Sequence, residues 1–313
     1  MVELFKRGIL MNKDFLNLDK INKQIEEDVE KVILTAEENF REQLFKIANK
    51  IMKKKNIKLI LMAGPSCAGK TTSARLLTEI LNEKGKKVIS VEMDSFFRNL
   101  EDRKLLPDGS IDFDSIDCVN LEQMQKCFKK LFENGSAMFP IYDFVNGKNI
   151  PNKKKYTFDN DTIIIFEGIH VLNPELTKHF DTDNLIKIYI SNYFGYKNDE
   201  LEVSTRQFRL CRRMIRDKNK RGVSPSETLD MWGHICTAEH QYIVPFKKEA
   251  DFEINSSHSY EMGLYKHYIL DYVKEGELSF DNLPWLKMFE ASKPVSADLL
   301  PETTLMNEFI IKK

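Results

Sequence analysis

The sequence predicts an α/β fold, a mainly parallel five-stranded sheet flanked by helices with a phosphate-binding loop at one edge. Three observations carry this. First, the apolar run Leu59–Met62 passes through Ala63 into Gly64-Pro65-Ser66-Cys67-Ala68-Gly69-Lys70-Thr71-Thr72, and a helical pattern follows from Ser73 to Leu81. Strand, glycine loop, helix is the order that wraps backbone N–H groups around phosphate oxygens. Second, two further apolar runs lead into acids: Val88–Val91 into Asp94, and Thr162–Phe166 into Glu167. A carboxylate at the end of a parallel strand lies on the ligand-binding edge of such a sheet. Third, Leu185–Ile190 and Ala250–Ile254 supply a fourth and a fifth strand.

Composition narrows the function classes. The chain has 313 residues, 42% hydrophobic and 30% charged, with a net charge of −1. That is ordinary globular usage, with no global field toward nucleic acid or an anionic membrane. Met1–Leu10 carries Glu3, Lys6 and Arg7 without an apolar core, and no window approaches the length of a membrane span. A soluble, cytoplasmic protein is expected. Cys67, Cys118, Cys127, Cys211 and Cys236 form no C-x-x-C pair, which reads as reduced thiols, and the histidines form no metal-ligand set.

Taken in order, residues 1–55 form an N-terminal extension. From Asp19 the apolar positions Ile21, Ile25, Val29, Val32, Ala36, Phe40, Leu44, Ile47 and Ile51 recur every three or four residues, a long amphipathic helix. Its mean spacing exceeds the 3.5 of a coiled coil, which favours packing on the protein's own body over pairing in a homo-oligomer. Lys53-Lys54-Lys55 suits its C-terminal end. Residues 56–274 form the catalytic-type domain. In its glycine loop, from Gly64 through Pro65, Ser66, Cys67, Ala68 and Gly69, the backbone faces a nucleoside triphosphate. Lys70 supplies charge toward the outer phosphates, and Thr71 offers a hydroxyl to magnesium. Asp94 is read as a general base or magnesium-shell ligand, with a helix N-cap as the alternative. Glu167 is read as a magnesium-organising carboxylate.

Residues 99–160 read as an insertion that covers an acceptor, with one helix, Leu121–Phe132, turn signals at Pro107-Asp108-Gly109 and Asn146-Gly147-Lys148, and a small hairpin. Tyr142 and Phe144 either stack on a flat ring or form the insertion's own small core. Arg209, Arg212, Arg213 and Arg216 recur at helical spacing, and Gly222 follows, which fits an arginine-rich lid over polyphosphate at 204–224. Ser224-Pro225-Ser226-Glu227 starts another helix, Tyr260–Val273 closes the domain, and the tail 275–313 is pinned to the core by Trp285 and Phe309.

In one order stand the loop 64–71, Asp94-Ser95-Phe96-Phe97, Phe113-Asp114, Tyr142-Asp143-Phe144, Phe166-Glu167-Gly168-Ile169 and Arg209–Asp217. Together they resemble the uridine kinase/phosphoribulokinase branch of P-loop kinases. Arg221–Leu229, Tyr242–Phe246, Asn255-Ser256 and Asn307–Ile310 look most like a uridine-kinase-like domain found joined to segments similar to threonyl-tRNA synthetases, here expected without that segment. The resemblance implies an ATP- and magnesium-dependent kinase that phosphorylates the 5′-hydroxyl of a uridine- or cytidine-type nucleoside, in pyrimidine salvage. It implies Lys70 and Thr71 on ATP and magnesium, and Asp94 accepting the hydroxyl proton. Glu167 would help hold the metal, and Asp114 would bind the ribose hydroxyls. Phe97, Tyr142 and Phe144 would lie around the base, and Arg209, Arg212 and Arg216 along the phosphate path. The chain departs from that family at Phe97, where Tyr is usual, and at Gly147 and Asn149, where His and Arg are usual. The rival readings are a kinase for another small alcohol, such as a sugar phosphate or pantothenate-like acceptor, and an ATP-binding regulatory module.

Overall fold

Leu59–Ala63 and Thr162–Glu167 are buried at every residue, because helices cover both faces of the sheet they centre. The computed structural model describes residues 14–54, 56–105, 109, 111–180 and 184–311; Lys55, and Pro107 and Asp108 of the first turn signal, lie outside the described residues. In chain order the elements are β1 (Asp14–Asn17), α1 (Leu18–Lys53), β2 (Leu59–Ala63), α2 (Lys70–Glu83), β3 (Lys87–Glu92), α3 (Leu121–Asn134), β4 (Ser136–Asp143), β5 (Lys148–Thr157) and β6 (Thr162–Glu167). Then follow α4 (Pro174–Thr177), β7 (Leu185–Ser191), β8 (Phe194–Lys197), β9 (Glu202–Val203), α5 (Thr205–Arg221), α6 (Pro225–Tyr242), β10 (Phe252–Asn255), α7 (Glu261–Lys274) and α8 (Lys287–Ala291).

The main sheet has the order β10-β7-β2-β6-β3, and every pairing in it is parallel. Met62 of β2 and Glu92 of β3 both pair with Glu167 of β6. That register brings the start of the glycine loop, Glu167 and the segment carrying Asp94 to one edge. The central strands sit between two apolar layers. One gathers α1, α2, α5 and α7; the other gathers α3 and the hairpin around Phe96, Phe128, Phe139 and Phe166.

Asn17 caps α1, its side chain accepting from the Lys20 N–H, and the helix kinks at Asp28, where φ is −165°. Leu18, Ile21, Ile33, Phe40, Leu44, Ala48 and Ile51 bury α1 in the core it shares with α2 and α7. Glu37, also buried, accepts from Tyr260 Oη and Thr304 Oγ1, tying α1 to the start of α7 and to the tail. Burial, reinforced by Glu37, pushes the Tyr260 hydroxyl well above its usual range, so it stays a donor. Trp285, Phe289, Leu305 and Phe309 bury the tail against the same core.

The insertion contains an antiparallel hairpin, β4–β5, whose register shifts between Phe139 and Ile141, at Pro140. A proline cannot donate to the ladder, so a bulge belongs there. Asn149 on β5 donates through Nδ2 to the carbonyls of Ser95 and Phe97, both at 3.0 Å, and so fastens the hairpin to the segment that follows β3. A second, three-stranded sheet, β1-β8-β9, was not read from the sequence, since its strands are only 4, 4 and 2 residues long. Among the described residues no helix is long and apolar enough to cross a membrane.

Candidate active site

The glycine loop leaves β2 with two demanding positions. A Cβ on Gly64 would lie 2.0 Å from the Ile190 carbonyl oxygen of the adjacent strand, so only glycine lets the loop leave at that angle. Gly69 has φ +87° and ends the loop as the N-cap of α2, with Leu305 of the tail packed where its Cβ would be. Lys70, the first residue of α2, donates to the Pro65 carbonyl at 3.0 Å, folding its ammonium back over the loop. Thr71 Oγ1 donates to Glu167 Oε1 at 2.7 Å.

These groups open on a cleft of about 980 Å³ at the carboxyl edge of the sheet. Ser66, Cys67 and Lys70–Thr72 form its floor, and Asp94 and Glu167 stand beside them. Burial pushes the Glu167 carboxyl up to about 8, against the pull of Lys70 and with repulsion from Asp94 adding to it. Burial likewise raises Asp94, opposed by Lys70, Arg221, Arg216 and Arg103. Two carboxyls are thus buried together at one edge, where desolvation outweighs the nearby cations and favours protonation until a metal ion arrives.

A consequence follows for the ligand-free protein. The unfolded Glu167 releases its proton near 4.5, whereas the folded chain holds it to about 8. Across that window the native state binds more protons than the unfolded state, so stability falls as pH rises. Urea midpoints measured at pH 5.5 and 8.5 are expected to drop on going to the higher pH, and to drop less in Glu167→Gln. An equal slope in that variant would assign the dependence to other groups.

The arginine helix α5 behaves differently from the sequence expectation. Arg209, expected against the acceptor, is buried and forks onto Glu239 of α6, with both N···O distances 2.5 Å. Its Nη1 also donates to the Ser66 carbonyl at 3.0 Å, while Glu239 accepts from the Ser66 N–H at 3.3 Å. Arg212, expected to act in catalysis, is fully buried and forks onto Glu261 of α7 at 2.6 and 2.7 Å. It donates to the Cys67 carbonyl at 3.3 Å and to the Ser256 carbonyl at 2.8 Å. Burial works against its charge, yet Glu261 holds its guanidinium above the usual range. Both arginines therefore grip the loop's backbone from behind rather than line the phosphate path.

The cations that α5 gives to the cleft wall come from its last turns, Arg216, Lys220 and Arg221, and they join Lys70, Arg75 and Arg103 there. Asp217, with a side chain 2% exposed, gathers Arg213, Arg216 and Arg221 around itself. The remainder of α5 is packed through Phe208, Leu210, Cys211, Met214 and Ile215, so 204–224 is a core helix with a cationic end.

At the far end of the cleft, Phe97, Tyr142 and Phe144 meet edge to face, with centroids 5.0 to 6.5 Å apart. Phe97 is 7% exposed and Phe144 58%, so the group has a packed base and an open rim. Asp114 lines the same end, its carboxyl raised by burial. Gly147 and Asn149, the two departures, have structural places here: Gly147 approaches Leu100, and Asn149 makes the brace described above. Sequence reasoning missed Arg103, whose guanidinium lies 4.9 Å from the Phe97 ring centroid, 5.2 Å from Tyr142 and 5.5 Å from Phe113. It also missed Arg221, which stands one helical turn beyond Asp217, and the tail residues on the cleft wall.

Residues 59–262 match the model of the phosphoribulokinase/uridine kinase family. The chain is similar to the uridine kinase of Borrelia duttonii (strain Ly), 29% identical over 210 residues that span 67% of this chain and 91% of that protein. It is also similar to uridine kinase-like protein 5 of Arabidopsis thaliana, 29% identical over 197 residues, 63% of this chain and 38% of that one. A solved structure described as a possible uridine kinase from Bacillus stearothermophilus superposes with a TM-score of 0.49 at 16% identity, covering 69% of this chain and 100% of that one. With its glycine loop, parallel sheet and strand-end acids inside the matched residues, the chain belongs to the phosphoribulokinase/uridine kinase family of P-loop kinases.

Proposed function

We propose that this protein transfers the γ-phosphoryl group of ATP to the 5′-hydroxyl of a nucleoside of the uridine or cytidine type. The observation that carries the reading is a single cleft with two distinct ends: Lys70, Asp94 and Glu167 at the sheet edge, and the Phe97–Tyr142–Phe144 rings with Asp114 opposite. A flat base held among the rings would put a ribose between Asp114 and Asp94. The similar uridine kinases support the acceptor class. The motifs at Arg221–Leu229 and Tyr242–Phe246, which resemble those of a uridine-kinase-like domain, add support to a nucleoside acceptor.

Phosphoryl transfer is mainly a matter of positioning and charge neutralisation. In this chain the loop N–H groups and Lys70 would bind the β- and γ-phosphates, and Arg216, Lys220 and Arg221 would balance charge on the opposite wall. Asp94 would accept the proton of the attacking hydroxyl while orienting it. The donor set also fits magnesium. Thr71 Oγ1 and Glu167 are already in contact, Asp94 lies beside them, and burial raises both carboxyls against the pull of the nearby cations. Among the described residues no cluster of three or more metal-ligating side chains forms a cage, which suits an ion that takes its other oxygens from phosphate. Bound there, magnesium would neutralise charge developing on the phosphate oxygens.

Tyr142→Ala is expected to raise the acceptor KM roughly 10- to 100-fold, the equivalent of about 1–3 kcal/mol for base stacking, and to leave the KM for ATP unchanged. Steady-state kinetics with each substrate varied in turn checks this, and an unchanged acceptor KM would remove the base from the ring cluster. One observation favours a second reading. Arg103 stands over Phe97 and Tyr142 at the acceptor end, so an alcohol carrying a phosphate or carboxylate would find a cation there.

A further inference from the structure

The family match ends at residue 262, yet Glu302, Thr304, Asn307 and Glu308 line the cleft, so part of its wall comes from outside the matched residues. The tail is fastened around the cleft at three places, on the glycine loop, α2 and α5. Leu305 packs on Gly69, Thr72 Oγ1 donates to Glu308 Oε2 at 3.1 Å, and Lys220 Nζ donates to the Asn307 carbonyl at 2.5 Å. Asn219 Nδ2 adds a bond to the Phe309 carbonyl at 3.2 Å. The segment therefore bridges the first turn of α2 to the last turn of α5. Thr304, bound to the buried Glu37, anchors it from behind.

Position along a bound triphosphate follows from the loop. Lys70 is placed for the outer phosphates, and because the γ-phosphoryl group must meet the acceptor, the nucleoside of a bound triphosphate extends away from the acceptor end. Thr72, Arg75, Arg216, Lys220 and the tail bound one end of the cleft, while the aromatic rings that would take the acceptor bound the other. We propose that residues 302–308 form the nucleoside-side wall of the ATP site and that the Asn307 carboxamide reads the purine. One N–H of Asn307 Nδ2 goes to the Glu302 carbonyl at 2.8 Å and holds the carboxamide in place, while among the described residues no protein group donates to its oxygen, which is the acceptor offered to a ligand. An acceptor oxygen pairs with the 6-amino group of adenine and meets only repulsion from the 6-oxo group of guanine. The inference rests on the nucleotide reading above and makes Asn307 a specificity-determining residue.

Calorimetric titration of the full chain without acceptor tests it, using ATP–Mg, GTP–Mg and tripolyphosphate–Mg as probes. The wild-type chain is expected to bind ATP about tenfold more tightly than GTP. Asn307→Ala is expected to lose about tenfold in ATP affinity, one hydrogen bond's worth, with tripolyphosphate affinity unchanged because that probe carries no nucleoside. If Asn307→Ala melts below the assay temperature, Asn307→Ser carries the same comparison. Unchanged or tighter ATP binding in the variant, or equal weakening of tripolyphosphate, would overturn the inference while leaving the ATP reading intact. A wild-type chain that binds none of the three probes would overturn both.

Discussion

Asp94→Asn is expected to lower kcat by about 10²–10⁴-fold, the usual range for a positioned general base. ATP affinity should remain within about twofold, because the loop and Lys70 hold the nucleotide without Asp94. The expectation rests on place and charge. Asp94 lies just past β3, whose last residue pairs with Glu167, and it lines the cleft between Lys70 and the acceptor end. Asn keeps the size and can still accept a hydrogen bond, so positioning is largely retained and the loss reports the proton. The carboxyl is raised by burial, with Lys70, Arg221, Arg216 and Arg103 pulling it down. In the wild-type chain kcat/KM should therefore rise with pH through the Asp94 titration, since only the ionised form accepts a proton. Near-normal kcat in Asp94→Asn would remove Asp94 from that role.

Arg212→Met is expected to destabilise the protein by about 3–5 kcal/mol, the cost of leaving a buried charge without its partner. The stranded group is Glu261, which is fully buried and whose Oε1 also accepts from the His258 N–H at 2.7 Å. The Cys67 and Ser256 carbonyls lose a donor in the same step. A second variant separates the burial effect from side-chain loss. Arg212→Met combined with Glu261→Leu should recover much of the stability, because no charge is left unpaired. Urea denaturation of single and double variants checks both. An Arg212→Met chain that keeps its urea midpoint but loses turnover would return Arg212 to the phosphate path.

The sheet was legible because its strands are buried on both faces and so read as continuous apolar runs bounded by turns. Asp94 and Glu167 were legible because strand ends in a parallel sheet fall on one edge whatever the loops do. Arg209 and Arg212 were not, for a definite reason. Helical spacing shows which side chains share a face, but not which neighbour that face meets. Here the answer lies with Glu239 and Glu261, which are 30 and 49 positions away in sequence. Arg103 depends on the path of the insertion loop, and no motif marks it. The tail's share of the cleft depends on Leu305 packing against Gly69, a tertiary contact without local signature. The β1-β8-β9 sheet escaped notice because strands so short carry no periodicity.

The most direct measurement is ADP release from ATP–Mg against a panel of nucleosides, deoxynucleosides and sugar phosphates, with a control lacking acceptor. The predicted result is strong turnover with uridine or cytidine and little ADP release in the control. Turnover with a phosphorylated or carboxylated alcohol and none with any nucleoside would contradict it, and would assign the ring cluster with Arg103 to an anionic acceptor.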